Sequence, residues 1–113
     1  MHEMSLAESV VQIVEDTARR NGGTRVSSVT LEIGALAGVE IEALRFCFDA
    51  ASRGTMAAGA MLMIDRPEGA AWCMPCGETV RVTSLGEACP RCGSYQLQVT
   101  GGDELRVREI ELH

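Results

Sequence analysis

Two C-x-x-C pairs, Cys73-Met-Pro-Cys76 and Cys89-Pro-Arg-Cys92, constrain this chain more than any other feature, with twelve residues between them. Two such knuckles point four sulfurs at a common centre, the tetrahedron of a zinc ribbon with metal–sulfur distances of ~2.3 Å. Gly77 and Gly93 follow the second cysteine of each pair and supply the backbone freedom that a knuckle needs. Paired disulfides would need an oxidising compartment, and a thioredoxin-type pair would open a helix after a strand, a pattern absent here. Zinc is therefore the expected occupant of Cys73, Cys76, Cys89 and Cys92. No histidine lies between Pro67 and Ser94. Four thiolates close the site, and a closed site maintains structure instead of activating water.

Charge removes several classes of function. The 113 residues carry sixteen acidic groups against ten basic ones, a formal −6, and every cation is an arginine. Zinc on four thiolates adds −2, giving −8, so a phosphate backbone is repelled. Residues 67–94 offer only Arg81 and Arg91 against Glu68, Glu78 and Glu87. Nucleic-acid binding is not expected. Without lysine there is no phosphate-cradling Walker site, and G-x-S-x-G is also missing. His2 and His113 are the only imidazoles. The chain reads as a non-enzyme. Its apolar runs fall far short of the ~20 residues that cross a bilayer, and no basic-then-apolar leader opens it. A cytoplasmic protein with no membrane partner is expected.

The order of elements reads as α+β. Ser5-Leu6-Ala7-Glu8 has the form of a capping box, predicting a helix from about Leu6 with Leu6, Val10, Ile13, Val14 and Thr17 on its apolar face. Asn21-Gly22-Gly23 should stop it. Residues 25–33 alternate, with Val29, Leu31 and Ile33 inward. After a turn at 34–38, Ile41, Leu44, Phe48 and Ala51 return to helical spacing, where Cys47 reads as a small buried hydrophobe. Residues 60–66 form a second strand ended by Pro67. The strand at 104–112 changes phase near Arg108-Glu109, predicting a bulge or two environments. A small sheet with two helices, 1–66 together with 97–113, would thus carry an inserted four-cysteine lobe at 67–96. The last strand also offers an edge through which a homodimer could pair.

The first three residues form a second metal-binding candidate. A bulky second residue should leave Met1 in place, so its amine, the His2 amide nitrogen and the His2 ring can close fused five- and six-membered chelate rings. Glu3 can add another donor. Such nitrogen-rich sets suit nickel(II) or copper(II). They lose protons on binding, so affinity should fall with pH.

Met-His-Glu-Met-Ser-Leu at the start, Val29-Thr-Leu-Glu-Ile-Gly34 and the two cysteine pairs together resemble the HypA/HybF family of hydrogenase maturation proteins over essentially the whole chain. The resemblance implies a nickel-binding α+β domain with a zinc lobe. It implies a metallochaperone that delivers nickel to the [NiFe]-hydrogenase large subunit beside a nickel-associated maturation GTPase. His2 would be the principal nickel ligand, with the Met1 amine and Glu3 contributing. Delivery to urease is a related alternative. A zinc-ribbon adaptor with no nickel role is the competing class. Some relatives place histidines beside the cysteine pairs and this chain does not, which argues against exchange of imidazole for sulfur at the zinc.

Overall fold

The computed structural model describes residues 2–113 and contains two helices and two three-stranded sheets. In chain order they are α1 (Glu3–Arg20), β1 (Val26–Ile33), α2 (Ile41–Ser52), β2 (Met61–Asp65), β3 (Gly69–Cys73), β4 (Glu78–Val82), β5 (Leu97–Gly101) and β6 (Leu105–Leu112). One sheet has the order β2-β1-β6, the other β4-β3-β5. Among the described residues no helix is long and apolar enough to cross a membrane.

The capping box expected at Ser5 to Glu8 does not form, because α1 begins three residues earlier. His2 is its N-cap, its carbonyl accepting from the Leu6 N–H at 3.1 Å, and no side chain caps the end. The buried face runs through Ala7, Val10, Val11, Val14 and Ala18, while Ile13 is 50% exposed. The face predicted through Leu6 and Ile13 is displaced by about one residue. The expected stop is present as a Schellman motif: Gly22 has φ 73°, and the N–H groups of Gly22 and Gly23 donate to Arg19 and Ala18 carbonyls.

In β1, Val29, Leu31 and Ile33 are buried as the alternation predicts, and Val26 and Ser28 are buried in the opposite phase. Glu40 caps α2, accepting from the Glu42 N–H at 3.1 Å, and Leu44 and Phe48 are buried. Phe46 is 74% exposed and Cys47 only half-buried. In β6 burial follows odd residues up to Val107 and even residues from Ile110, so the phase change lies where the sequence places it.

Two compact units divide the chain: one of the segments up to Leu31, Val39–Ile64 and Val107–His113, the other of Glu32–Gly38 and Asp65–Arg106. In the first, α1 packs on α2. The second is wider than a 67–96 lobe, because β5 pairs with β3 and the 34–38 segment joins it through Gly34 N–H to Glu104 and Leu36 N–H to Gly102 carbonyls. Composition cannot reveal which sheet a strand joins. The close approach admits no side chain: a Cβ on Gly34 would lie 2.0 Å from the Gly102 carbonyl oxygen. Leu36, Ala71, Cys73, Val80, Val82 and Cys89 form this unit's core. Two of those six are candidate metal ligands, so the core is thin without the metal.

Candidate metal centres

The first knuckle is built on the turn between β3 and β4. Cys73 ends β3, its carbonyl accepts from the Gly77 N–H at 2.8 Å, and Gly77 sits at φ 65°. The second repeats this geometry, with Gly93 at φ 77° and its N–H 2.9 Å from the Cys89 carbonyl. Both depend on a left-handed residue that only glycine adopts without strain. The knuckles are joined through the segment between them and β5. Cys89 N–H donates to the Ser94 carbonyl, Met74 N–H to that of Gln96, and Arg91 pairs with Glu78.

The sulfur positions test the fit to a metal. Cys73 and Cys92 sulfurs lie 3.6 Å apart, Cys76 and Cys89 sulfurs 3.9 Å, and all four fall within 4.8 Å of one another. A tetrahedron with ~2.3 Å arms has edges of ~3.8 Å, so the two measured edges bracket the geometry of one zinc ion. The Arg91 N–H donates to the Cys89 sulfur at 3.4 Å. The N–H of Cys92 and then that of Arg91 draw the Cys89 thiol down to about 7, against its burial. The Cys76 thiol is pushed up to about 12, first by its hydrogen bonds with Cys92 and Cys73. Binding of a cation of charge +2 would displace the protons these thiols hold. Among the described residues this is the one set of three or more such ligating side chains brought together.

The N-terminal candidate is only partly within view. Met1, whose amine belongs to the expected nickel set, lies outside the described residues. His2 is exposed at the head of α1 and shares an open hollow with Ser5, Leu6 and Ser9. Beside it, the Glu3 carboxylate accepts from the Glu40 N–H at 3.1 Å. That bond, then the Glu3 N–H itself, holds the Glu3 carboxyl below its ordinary range. Since Glu40 caps α2, Glu3 fastens the first turn of α1 to the start of α2. Sequence reasoning missed Glu40: a contact across 37 positions leaves no local signal, although a residue just before helical spacing begins is a natural cap. His113 is an exposed chain end whose N–H donates to the Arg25 carbonyl.

A family model described as "Hydrogenase/urease nickel incorporation, metallochaperone, hypA" matches residues 1–112. Hydrogenase maturation factor HypA of Dechloromonas aromatica is 60% identical over 112 residues, covering 99% of both chains. The protein of the same name from Albidiferax ferrireducens is 56% identical with the same coverage. The solution structure of the Ni metallochaperone HypA from Helicobacter pylori superposes with a TM-score of 0.70 at 23% identity, covering 99% of this chain and 97% of that one. Such a distant match speaks for the fold alone. The match of the family model over nearly its whole length places the chain in the HypA family of hydrogenase/urease nickel-incorporation metallochaperones.

Proposed function

We propose that this protein carries Ni(II) at its amino terminus and delivers it, in the cytoplasm, to the large subunit of a [NiFe]-hydrogenase beside a nickel-associated maturation GTPase. Nickel is cargo here. The observation that carries this reading is the placing of His2: an exposed imidazole at the N-cap of α1, in a turn that Glu3 and Glu40 fasten. An imidazole on a loose tail would have to be ordered by the metal, whereas one on a fastened turn is already in position. The Met1 amine, the His2 amide and ring nitrogens and Glu3 form the donor set, and nitrogen-rich sets of this kind favour nickel over zinc. A site with few protein ligands at an exposed helix end releases its ion readily, as a carrier requires.

The four cysteines hold zinc as structure, and the nickel site belongs to the helical unit. No group in the chain is assigned catalysis, so nucleotide hydrolysis falls to the partner. The family description names both hydrogenase and urease, while the curated relatives above are named for hydrogenase maturation, which favours the hydrogenase as recipient.

Equilibrium dialysis against nickel and zinc separates the carrier from a zinc-ribbon adaptor. His2→Ala should weaken nickel binding by well over about tenfold, as loss of a direct ligand requires, and leave one zinc per chain. Unchanged nickel affinity in that variant would remove the site and favour the adaptor.

A further inference from the structure

The unit that holds the cysteines carries a hollow of about 90 Å³ that neither metal reading uses. Buried Ala71 and Val82 lie at its floor, and Leu85, Tyr95 and Val99 stand around its rim at 65%, 75% and 37% exposure. Exposed apolar residues on a loose loop would mean little, but these are held in place. Leu85 sits in a loop closed by Glu87, whose carboxylate accepts from Thr83 N–H and hydroxyl at 2.8 Å and from the Ser84 hydroxyl at 3.2 Å. Tyr95 lies between residues tied to both knuckles, through Cys89 N–H to Ser94 and Met74 N–H to Gln96. Its own carbonyl accepts from the Leu97 N–H at 2.8 Å. Val99 lies on β5, an edge strand of the β4-β3-β5 sheet, with Gln98 and Thr100 exposed on either side. A backbone already fixed around a hollow loses less entropy when a partner covers it.

Charge identifies the occupant. Among the described residues that line the hollow, Glu87 is the only charged one. The two arginines of 67–94 are already engaged, Arg81 with Glu68 and Arg91 with Glu78, whereas the donors to Glu87 named above are neutral. The rim is thus apolar with one negative charge, on a chain of net −6. A volume of this size takes one aliphatic side chain. We propose that the cysteine-bearing unit docks an extended basic segment of a partner protein, seating one aliphatic side chain among Leu85, Tyr95 and Val99 with a neighbouring cation facing Glu87. An edge strand beside the hollow supplies backbone groups for such a segment to pair with. The proposal goes beyond nickel carriage and holds whether or not His2 binds nickel.

The test is an amide chemical-shift titration of the zinc-loaded full chain with an acetylated hexapeptide of alternating arginine and leucine. A second peptide carries glutamate in place of arginine. The basic peptide should shift Leu85, Tyr95, Val99 and their neighbours, and the acidic one should bind at least about tenfold more weakly. Leu85→Ser, a surface change that leaves the remaining spectrum intact, should weaken binding about tenfold. Glu87→Gln, which keeps an acceptor oxygen for the loop, should weaken it about threefold. His2→Ala should change nothing, so failure of the nickel reading and failure of this one are distinguishable. Equal binding of the two peptides, shifts centred away from the rim, or unaltered binding by Leu85→Ser would each overturn the proposal.

Discussion

At the scale of single residues, side chains whose chemistry is local were readable and those that act across the chain were not. Cys73, Cys76, Cys89 and Cys92 were legible because a knuckle is a contiguous pattern in which Gly77 and Gly93 occupy the left-handed positions the turn demands. Glu3 was legible as a candidate donor, but its bond to the Glu40 N–H was not, since no spacing rule links positions 3 and 40. That bond has a pH signature. A carboxyl held below its ordinary range contributes fully above its unfolded pKa, and the contribution fades as pH falls through the lower, folded value. In the nickel-free protein the Glu40 amide resonance should therefore titrate with Glu3, at a midpoint below the ordinary glutamate value of about 4.3. A midpoint at or above that value would mean that the bond does not hold the carboxylate in solution.

Elements were legible where periodicity has one solution. The change of phase in β6 follows from Leu105 and Val107 against Ile110 and Leu112, and the end of α1 from Asn21-Gly22-Gly23. The start of α1 was not legible. Ser5 and Glu8 fit a capping box, yet the Glu3 bond to Glu40 favours helix from residue 3, and both then lie inside it. The buried face also lies about one residue further round than the spacing suggests, leaving Ile13 half exposed. Strand β3 was hidden for another reason: Gly69, Ala70 and Ala71 have little intrinsic strand preference, so only pairing with β4 and β5 makes them a strand. These assignments predict unequal costs for two caps. Ser5→Ala should change stability by less than about 0.5 kcal/mol, as at an ordinary surface position. Glu40→Ala removes the acceptor for the Glu42 N–H and should cost about 1 kcal/mol. Denaturant unfolding measures both, and a loss of a full ~1 kcal/mol on Ser5→Ala would restore the capping box.

For the whole molecule, fold class and the gathering of the four cysteines were legible, and the extent of the cysteine-bearing unit was not, because its limits come from backbone contacts of Gly34, Leu36 and Gly102. Since two of its six core residues are cysteines of the metal site, that unit should depend on zinc while the helical unit does not. Trp72, the single tryptophan, lies on β3 and reports on it. Chelation should change Trp72 fluorescence and leave most of the far-ultraviolet helical signal; loss of both together would show that the zinc supports the entire chain. The central claim is that nickel is gripped by the Met1 amine and the His2 nitrogens. It is tested most directly by the absorption spectrum of nickel-loaded protein with its native first residue, compared with a chain lengthened by one glycine before Met1. Coordination through the amine and a deprotonated amide predicts visible bands of a nitrogen-rich nickel(II) site in the native chain and their loss or marked shift in the lengthened one. Identical spectra and affinities would contradict it.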